Sequence, residues 1–166
     1  MRTSLDCQTR AVDAPAGIIP TYECTFEIGM GASWFVGTGG SGNRVVGAVA
    51  GGTVTGTRLH GTLVGPGADW ALLGGDGYAR LDVRMQMEAH DGPIVFVEYG
   101  GLLEINERSA PAMTDRSKET SFEDQYFVTT PRMECGDARY EWVNHTIFVA
   151  RGRLTRSGVS YEVYRV

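Results

Sequence analysis

The pair of residues with the clearest chemical potential is Asp69 and Trp70, which follow the turn sequence Gly65-Pro66-Gly67. A carboxyl packed against an indole loses solvation, so its charged form is disfavoured and its pKa rises toward that of a general acid or base. Alternatively, Asp69 only caps its turn by accepting backbone N–H groups, with Trp70 in the core. The sequence leaves both interpretations open.

A second candidate pair is Asp82 and Arg84, two residues apart in an alternating stretch and therefore on one face of a strand. If that face looks inward, the two side chains form a buried pair that could hold a polar substrate group, since an Arg fork suits a carboxylate or enolate. If Leu81, Val83 and Met85 face inward instead, the pair belongs to a solvated face. The sequence does not choose between the two faces, and the deciding observation is whether Asp82, Arg84 and Asn144 point inward around a cavity.

The stretch 140–150 is predicted to be a strand that presents aromatic and amide groups on one face. That face contains Tyr140, Trp142, Asn144, Thr146 and Phe148. Such a lining suits a planar small molecule, although core packing explains the aromatic members equally well. The predicted catalytic residues are Asp69, Arg84, Tyr140 and Asn144. The predicted substrate contacts are Trp70, Asp82, Trp142, Tyr126 and Glu98, and Tyr99 is a further hydroxyl donor with a structural alternative.

Other site types lack support in the sequence. His60, His90 and His145 show no metal-ligand spacing, so no metal site is predicted, and no cofactor is expected. The segment 37–42 matches GxGxxG, but the following residues 43–46 are typical of a strand, whereas dinucleotide binding needs a helix there. No Gly-x-Ser-x-Gly motif is present, which leaves covalent nucleophilic catalysis without a signature.

The elements that would position these residues are short strands separated by glycine turns. The segment 20–28 alternates, with Tyr22, Cys24, Phe26 and Ile28 on one face. Further strands are predicted at 45–54, 58–64, 78–88, 94–99, 126–130, 140–150 and 159–166. The polar segment 109–124 is predicted to be a long loop with at most one helical turn, a kind of loop that often serves as a lid.

The tally of about eight to ten strands predicts an all-β fold, a single antiparallel β-barrel without a long helix. A two-sheet sandwich is the alternative architecture. Residues 1–19 are expected to form a tail or edge segment and residues 20–166 the barrel domain. The 23 glycines among 166 residues agree with many tight turns.

Composition narrows the class of partner. The net charge of -5 disfavours nucleic acid and anionic membranes, because both need a basic face. Three cysteines, Cys7, Cys24 and Cys135, have no CxxC spacing and indicate free thiols in a reducing compartment. No signal-peptide or membrane-length apolar run occurs, so a cytoplasmic location is expected. A homodimer is the default oligomer to consider.

Several motifs, in order along the chain, carry a resemblance to a known family. They are Gly51-Gly52-Thr53, Leu59-His60-Gly61, Gly67-Ala68-Asp69-Trp70, Asp76-Gly77, Leu81-Asp82-Val83-Arg84, Asp91-Gly92, Arg139-Tyr140-Glu141-Trp142-Val143-Asn144 and Phe148-Val149-Ala150-Arg151-Gly152. Together they resemble the DUF3237 (UPF0311-type) family of small β-barrel proteins, from about Phe26 to Val166. The resemblance implies a closed or nearly closed barrel of lipocalin-like or allene-oxide-cyclase-like shape. It implies little about the reaction.

These observations lead to two hypotheses about function. The first is a cofactor-independent enzyme that performs proton transfer (isomerisation, cyclisation, or lyase or dehydratase chemistry) on a hydrophobic or aromatic oxygenated metabolite. Asp69 would be the acid or base, and Arg84 with Asn144 or Tyr140 would stabilise oxyanion charge. The second is a non-catalytic small-molecule binder or carrier that uses the same pocket.

Overall fold

The computed structural model describes residues 17–166, and these residues form nine strands and two short helices. The elements are β1 (Thr21–Gly39), β2 (Gly42–Gly56), β3 (Gly61–Asp69), β4 (Leu72–Leu73), β5 (Tyr78–Ala89), β6 (Ile94–Glu104), α1 (Ser109–Thr114), β7 (Phe127–Glu134), a 3-10 helix (Ala138–His145), β8 (Phe148–Leu154) and β9 (Gly158–Arg165). Most of the expected tail at 1–19, and Cys7 within it, lies outside the described residues.

The strands form one antiparallel sheet that closes on itself. Neighbours follow the order β1-β9-β8-β7-β6-β5-β3-β2, and β1 also pairs with β2 along its length. Each of these eight strands therefore has two hydrogen-bonded neighbours, which removes the sheet edges. The short β4 pairs with β2 and β5 where β3 has ended. The all-β prediction is confirmed, and the pairing is that of a barrel and not of a sandwich.

The long β1–β2 hairpin curves because its register shifts three times, at positions between Gly29 and Gly37. On the facing strand, Gly52 has φ of +153° and lies against Glu27, where an added Cβ would be 2.0 Å from the carbonyl oxygen. Only glycine allows this approach. The predicted glycine interruptions of the 45–54 strand are therefore bends of the barrel wall. The GxGxxG segment is the tip of this hairpin, with no helix after it.

Inward side chains follow strict alternation on β5, where Val83, Met85 and Met87 are almost fully buried. They join a single hydrophobic cluster to which every strand except the two-residue β4 contributes buried residues, and Leu73 of β4 packs against it. Alternation fails at the start of β1, because a register shift between Tyr22 and Cys24 turns Tyr22 outward. The prediction that Tyr22 shares a face with Cys24 is wrong. The buried neighbour is Glu23, which pairs with Arg58 and Arg165.

The predicted strand at 140–150 is also wrong over its first half, where the chain forms the 3-10 helix instead. Asp137 begins this helix by accepting the Arg139 N–H at 2.9 Å. Asn144 holds its far end, because its amide accepts from the backbone N–H of Cys135 and donates to the Cys135 carbonyl. The strand β8 starts only at Phe148.

The predicted loop at 109–124 is confirmed, with the single helical turn of α1 at its start. Ser109 anchors this turn, since its buried hydroxyl donates to the Glu104 carbonyl at 2.6 Å. The hydroxyl of Thr120 accepts the Leu154 N–H at 2.9 Å and joins the loop to β8. Among residues 17–166, neither helix is long and apolar enough to cross a membrane.

Candidate active site

One half of the barrel contains a cavity of about 270 Å³, and the other half is filled with side chains. On β5 the division falls between Val83, which borders the cavity, and Met85, which does not. We call the two parts the hollow half and the packed half. Inward residues of the packed half include Cys24, Phe26, Leu63, Met85, Met87, Val95, Val97, Met133, Phe148 and Val163. The volume lies just below the range of about 300–1,000 Å³ found for ligand pockets.

Asp69, the last residue of β3, reaches this cavity because of a bulge in its strand. From Leu63 to Asp69 the chain takes 69 − 63 = 6 steps, while the paired residues Met87 to Val83 span 87 − 83 = 4. The two additional residues fall within 65–67, where Gly65 has φ of +67° and Pro66 lacks an N–H that a ladder would need. Because two is an even number, Leu63 and Asp69 stay on the same inward face.

The Asp69 carboxyl lies on the cavity wall with little solvent around it. Burial raises its pKa from 3.8 to about 6, the backbone hydrogen bond from Asp82 opposes this rise, and the Asp82 charge adds to it. That hydrogen bond runs from the Asp82 N–H to Oδ1 at 3.1 Å. None of residues 17–166 donates a hydrogen bond to Oδ2. The carboxyl thus has one oxygen fixed by the backbone and a pKa suited to proton transfer near neutral pH.

Two tyrosines, Tyr99 on β6 and Tyr161 on β9, lie beside Asp69 on the cavity wall. Their rings meet edge to face, with centroids 5.4 Å apart. Burial raises the pKa of both phenols above the ordinary value, and the charge of Asp69 contributes to both increases. Both phenols therefore stay protonated and can donate hydrogen bonds.

The position of the Tyr161 ring requires a glycine at the paired position of the neighbouring strand. A Cβ added to Gly152 on β8 would lie 2.7 Å from the Tyr161 ring and 2.8 Å from the Phe127 ring. The two rings pack edge to face at 5.2 Å over this gap. Gly152 thus makes room for the aromatic wall.

The remaining wall of the cavity is mainly apolar. The loop after α1 and the β8–β9 turn form the border of its mouth. The apolar residues are Met30, Phe35, Val45, Val49, Ala71, Leu73, Ala79, Leu81, Val83, Leu103, Ala112, Met113, Phe127, Leu154 and Val159. Polar groups at the border come from Ser33, Thr114, Arg116, Thr155 and Arg156. A wall of this kind suits an apolar or aromatic molecule with few polar groups.

Of the two interpretations of Asp82 and Arg84, the solvated outer face is correct, and the inward placement that their predicted site roles required is wrong. Their side chains are 52% and 49% exposed and pair with each other at 3.0 Å on the outer surface. The cause is the alternation of β5, which sends its apolar residues inward. Trp70 also lies outside the cavity, where the Arg84 guanidinium is 5.6 Å from its ring centroid. The indole therefore does not line the cavity beside Asp69.

The predicted site residues Tyr140, Trp142 and Asn144 lie at the packed half and do not line the cavity. The buried Tyr140 donates its hydroxyl to Asp91 at 2.7 Å. Asn144 is used by the backbone of Cys135, and Trp142 packs beneath the Arg58 guanidinium at 3.8 Å. The common face predicted for them does not exist, because the segment is a 3-10 helix. The pocket predicted from Asp82, Arg84 and Asn144 is therefore absent.

Glu98 and Tyr126 also lie away from the cavity. Glu98 faces outward on β6 and pairs with Arg132 at 3.3 Å. Tyr126 is about half exposed just before β7. A groove of about 560 Å³ outside the barrel is bordered by Arg132 and Asn144, and none of Asp69, Tyr99 and Tyr161 lines it. Of the nine predicted site residues, only Asp69 lines the cavity, and its role in catalysis remains a prediction.

Sequence reasoning missed Tyr161 and named Tyr99 without choosing a role for it. The alternating segment 159–166 contains the signal, since Val159, Tyr161 and Val163 share one face. Gly152 would have strengthened it, because a glycine within a strand can mark room for a ring on the neighbouring strand. Among residues 17–166, no cluster of three or more His, Cys, Asp or Glu side chains could hold a metal ion.

Comparison with known proteins places the chain in a family. The sequence profile described as "Protein of unknown function (DUF3237)" matches residues 18–166, nearly the whole described range. The chain belongs to this family. The UPF0311 protein blr7842 of Bradyrhizobium diazoefficiens is 30% identical over 149 residues, covering 87% of this chain and 94% of that protein.

Solved structures agree on the fold. The conserved protein of unknown function RPA1785 from Rhodopseudomonas palustris has a TM-score of 0.82 at 24% identity, over 90% of this chain and 98% of that one. A "beta-barrel like protein" from Acinetobacter baumannii gives 0.77 at 26% identity, over 93% and 99%. A structure described as an enzyme from Penicillium herquei gives 0.67 at 13% identity, over 92% and 99%. The last likeness extends to the fold alone.

Proposed function

We propose that this DUF3237 protein is an enzyme that moves a proton on a small hydrophobic or aromatic oxygenated molecule held in the hollow half of the barrel. Isomerisation, cyclisation and elimination of water or another small group all belong to this class. Each begins or ends with a proton transfer at carbon or oxygen, for which one acid or base and one oxyanion donor suffice.

The observation that carries the proposal is the Asp69 carboxyl on an apolar cavity wall, with a pKa raised by burial to about 6. At neutral pH most of this group is ionised, and its conjugate acid is strong enough to return a proton. A pKa near the working pH gives the best compromise between available base and driving force. Perturbed carboxyls in clefts are enriched at functional sites, which supports the proposal.

Tyr99 and Tyr161 supply the second part of the chemistry. Removal of a proton next to a carbonyl puts negative charge on the carbonyl oxygen, and a neutral phenol can donate a hydrogen bond to that oxygen. Because their pKa values are raised, these phenols keep their protons while Asp69 works as the base. In this assignment they replace Arg84, Tyr140 and Asn144 as the oxyanion donors.

A non-catalytic carrier that uses the same cavity is the second candidate. Its support is the preponderance of aliphatic and aromatic side chains on the wall, which would bind an apolar ligand without any chemistry. The two candidates differ in what they require of Asp69, because a carrier needs no base.

The test uses 5-nitrobenzisoxazole, a small aromatic compound whose ring opens to a coloured phenolate once a base removes its C–H proton. We expect the turnover rate to rise as the pH increases through about 6. Asp69→Asn should lower this rate by about 100-fold or more. Asp76→Asn is the matched control, since Asp76 is exposed, pairs with Arg80 and does not line the cavity. Binding of the neutral compound 2-naphthamide, measured by calorimetry, should survive Asp69→Asn.

Unchanged turnover in Asp69→Asn would remove Asp69 from catalysis. Binding of 2-naphthamide without any Asp69-dependent turnover would favour the carrier. If the wild-type protein binds neither 2-naphthamide nor its carboxylate analogue 2-naphthoate, both uses of the cavity fail.

A further inference from the structure

The border of the cavity contains an arginine that the proposed chemistry does not use. Arg116 follows α1 in the loop and lines the cavity together with Thr114. Arg156, in the β8–β9 turn, lines it as well. The two guanidinium groups are the positively charged groups on the cavity wall.

Arg116 has little to neutralise it. One of its NH2 hydrogens is donated to the Gly31 carbonyl at 3.0 Å, and no carboxylate among residues 17–166 lies within 4.0 Å of its guanidinium. The neighbouring Asp115 carboxylate is engaged elsewhere, since it accepts from the backbone and hydroxyl of Ser117 at 2.9 and 2.7 Å. Most of the five N–H donors of Arg116 thus remain available to a ligand.

The other described arginines provide a contrast. Within residues 17–166 only Arg44, Arg108 and Arg116 belong to no ion pair, and Arg116 alone of these three lines the cavity. Arg156 on the same border is already paired with Glu119 at 3.3 Å. The cavity mouth therefore offers one unpaired cation above an apolar chamber.

We infer that the ligand of this cavity is a monoanion, an apolar or aromatic acid whose carboxylate binds Arg116 at the mouth while its body fills the hollow half. The inference rests on the proposed function and adds the substrate class. The planar guanidinium fork matches a carboxylate in two-point geometry. A phosphate monoester is disfavoured, because it carries close to two charges, while one unpaired cation faces it and Glu119 lies beside Arg156.

The test compares three probes that share one ring system: 2-naphthoate, the neutral 2-naphthamide and 2-naphthyl phosphate. Affinities are measured by calorimetry at about pH 8, where the carboxylic acid is fully ionised. The variants are Arg116→Gln, Arg116→Lys and the control Arg108→Gln, which removes the same charge just before α1, from a residue that does not line the cavity.

We expect Arg116→Gln to weaken 2-naphthoate about threefold to tenfold and to leave 2-naphthamide unchanged. Arg116→Lys should recover part of the loss, and Arg108→Gln should match the wild type. Equal affinity of wild type and Arg116→Gln for 2-naphthoate, or equal weakening of both probes, overturns the inference. Tighter binding of 2-naphthyl phosphate than of 2-naphthoate overturns the carboxylate assignment.

These outcomes are separable from failure of the proposed function. If 2-naphthamide binds and the Asp69-dependent turnover is found, but charge selectivity is absent, only the carboxylate inference is lost. If neither 2-naphthamide nor 2-naphthoate binds, the cavity is not a ligand site and both proposals are lost.

Discussion

The two halves of the barrel share the same strands, the same alternation of side chains and the same hydrogen bonding, yet one interior is filled and the other contains a cavity. In the packed half, Phe26, Met85 and Met87 are at most 1% exposed and fill the interior. In the hollow half, the same strands present Ala79 and Leu81 around an empty volume, with the carboxyl of Asp69 on the wall. Leaving a void and a poorly solvated carboxyl costs stability, so the packed half must provide the stability that the hollow half gives up.

The largest effect on the free energy of unfolding is expected from a comparison of two substitutions on the inward face of β5. Met85→Ala opens a new void in the packed half and should lower the free energy of unfolding by about 2–5 kcal/mol. Leu81→Ala only enlarges the existing cavity, so we expect roughly half that loss or less. Urea unfolding monitored by circular dichroism measures both. Equal losses would mean that the cavity region is as well packed as the other half.

The division into halves was only partly predictable from the sequence. Alternation in 78–88 correctly gives the inward face of β5, since apolar side chains that recur at every second residue need a common core. The same rule should have placed Asp82 and Arg84 outside. It could not place Asp69, because a bulge of two residues preserves the facing direction while a bulge of one would reverse it.

The 3-10 helix shows a second limit of sequence reasoning. Residues 140–148 alternate well enough for a strand, but the structure there depends on Asp137 and on the Asn144 amide that joins Cys135. Such local hydrogen bonds compete with strand pairing and leave no periodic signal. Tyr161 shows the reverse, since its inward direction was readable but its proximity to Asp69 requires the closure of β1 on β9.

The second prediction concerns the cost of the Asp69 charge. A pKa of about 6 in the folded protein and 3.8 in the unfolded chain means that folding favours the protonated carboxyl. The stability that the protonated Asp69 carboxyl contributes is fully present below pH 3.8 and is lost as the pH rises through about 6. The free energy of unfolding changes by about 3 kcal/mol over this range.

Asp69→Asn removes this dependence while it keeps an oxygen that can accept the Asp82 N–H. We therefore expect Asp69→Asn to be more stable than the wild type at neutral pH, with the difference vanishing toward pH 4. Thermal unfolding of both proteins across this range measures the difference, which cancels the titration of other groups. A difference that does not change with pH would show that the Asp69 pKa is not raised.

The third prediction reverses the first by adding volume in place of removing it. Ala89→Leu in the packed half should cost about 1–3 kcal/mol, because no space is available for three further carbons. Ala79→Leu projects into the cavity and should cost less than about 1 kcal/mol while it abolishes binding of 2-naphthamide. Chemical denaturation and calorimetry provide the two measurements. A large loss of stability in Ala79→Leu would show that the cavity wall has no room for a larger side chain.

The smallest expected effect comes from the hydrogen bond between Tyr140 and Asp91 in the packed half, which we expect to contribute to stability and not to turnover in the cavity. Tyr140→Phe removes the hydroxyl that donates to Asp91, a bond that lowers the pKa of this carboxyl. We expect Tm to fall by about 2–4 °C at neutral pH and by less in acid, where protonation of Asp91 weakens the same bond. Turnover of 5-nitrobenzisoxazole should not change in Tyr140→Phe, whereas Tyr99→Phe should slow it, because Tyr99 borders the cavity and Tyr140 does not. A slower reaction in Tyr140→Phe at unchanged stability would restore the catalytic role that the sequence predicted for Tyr140 and connect the two halves.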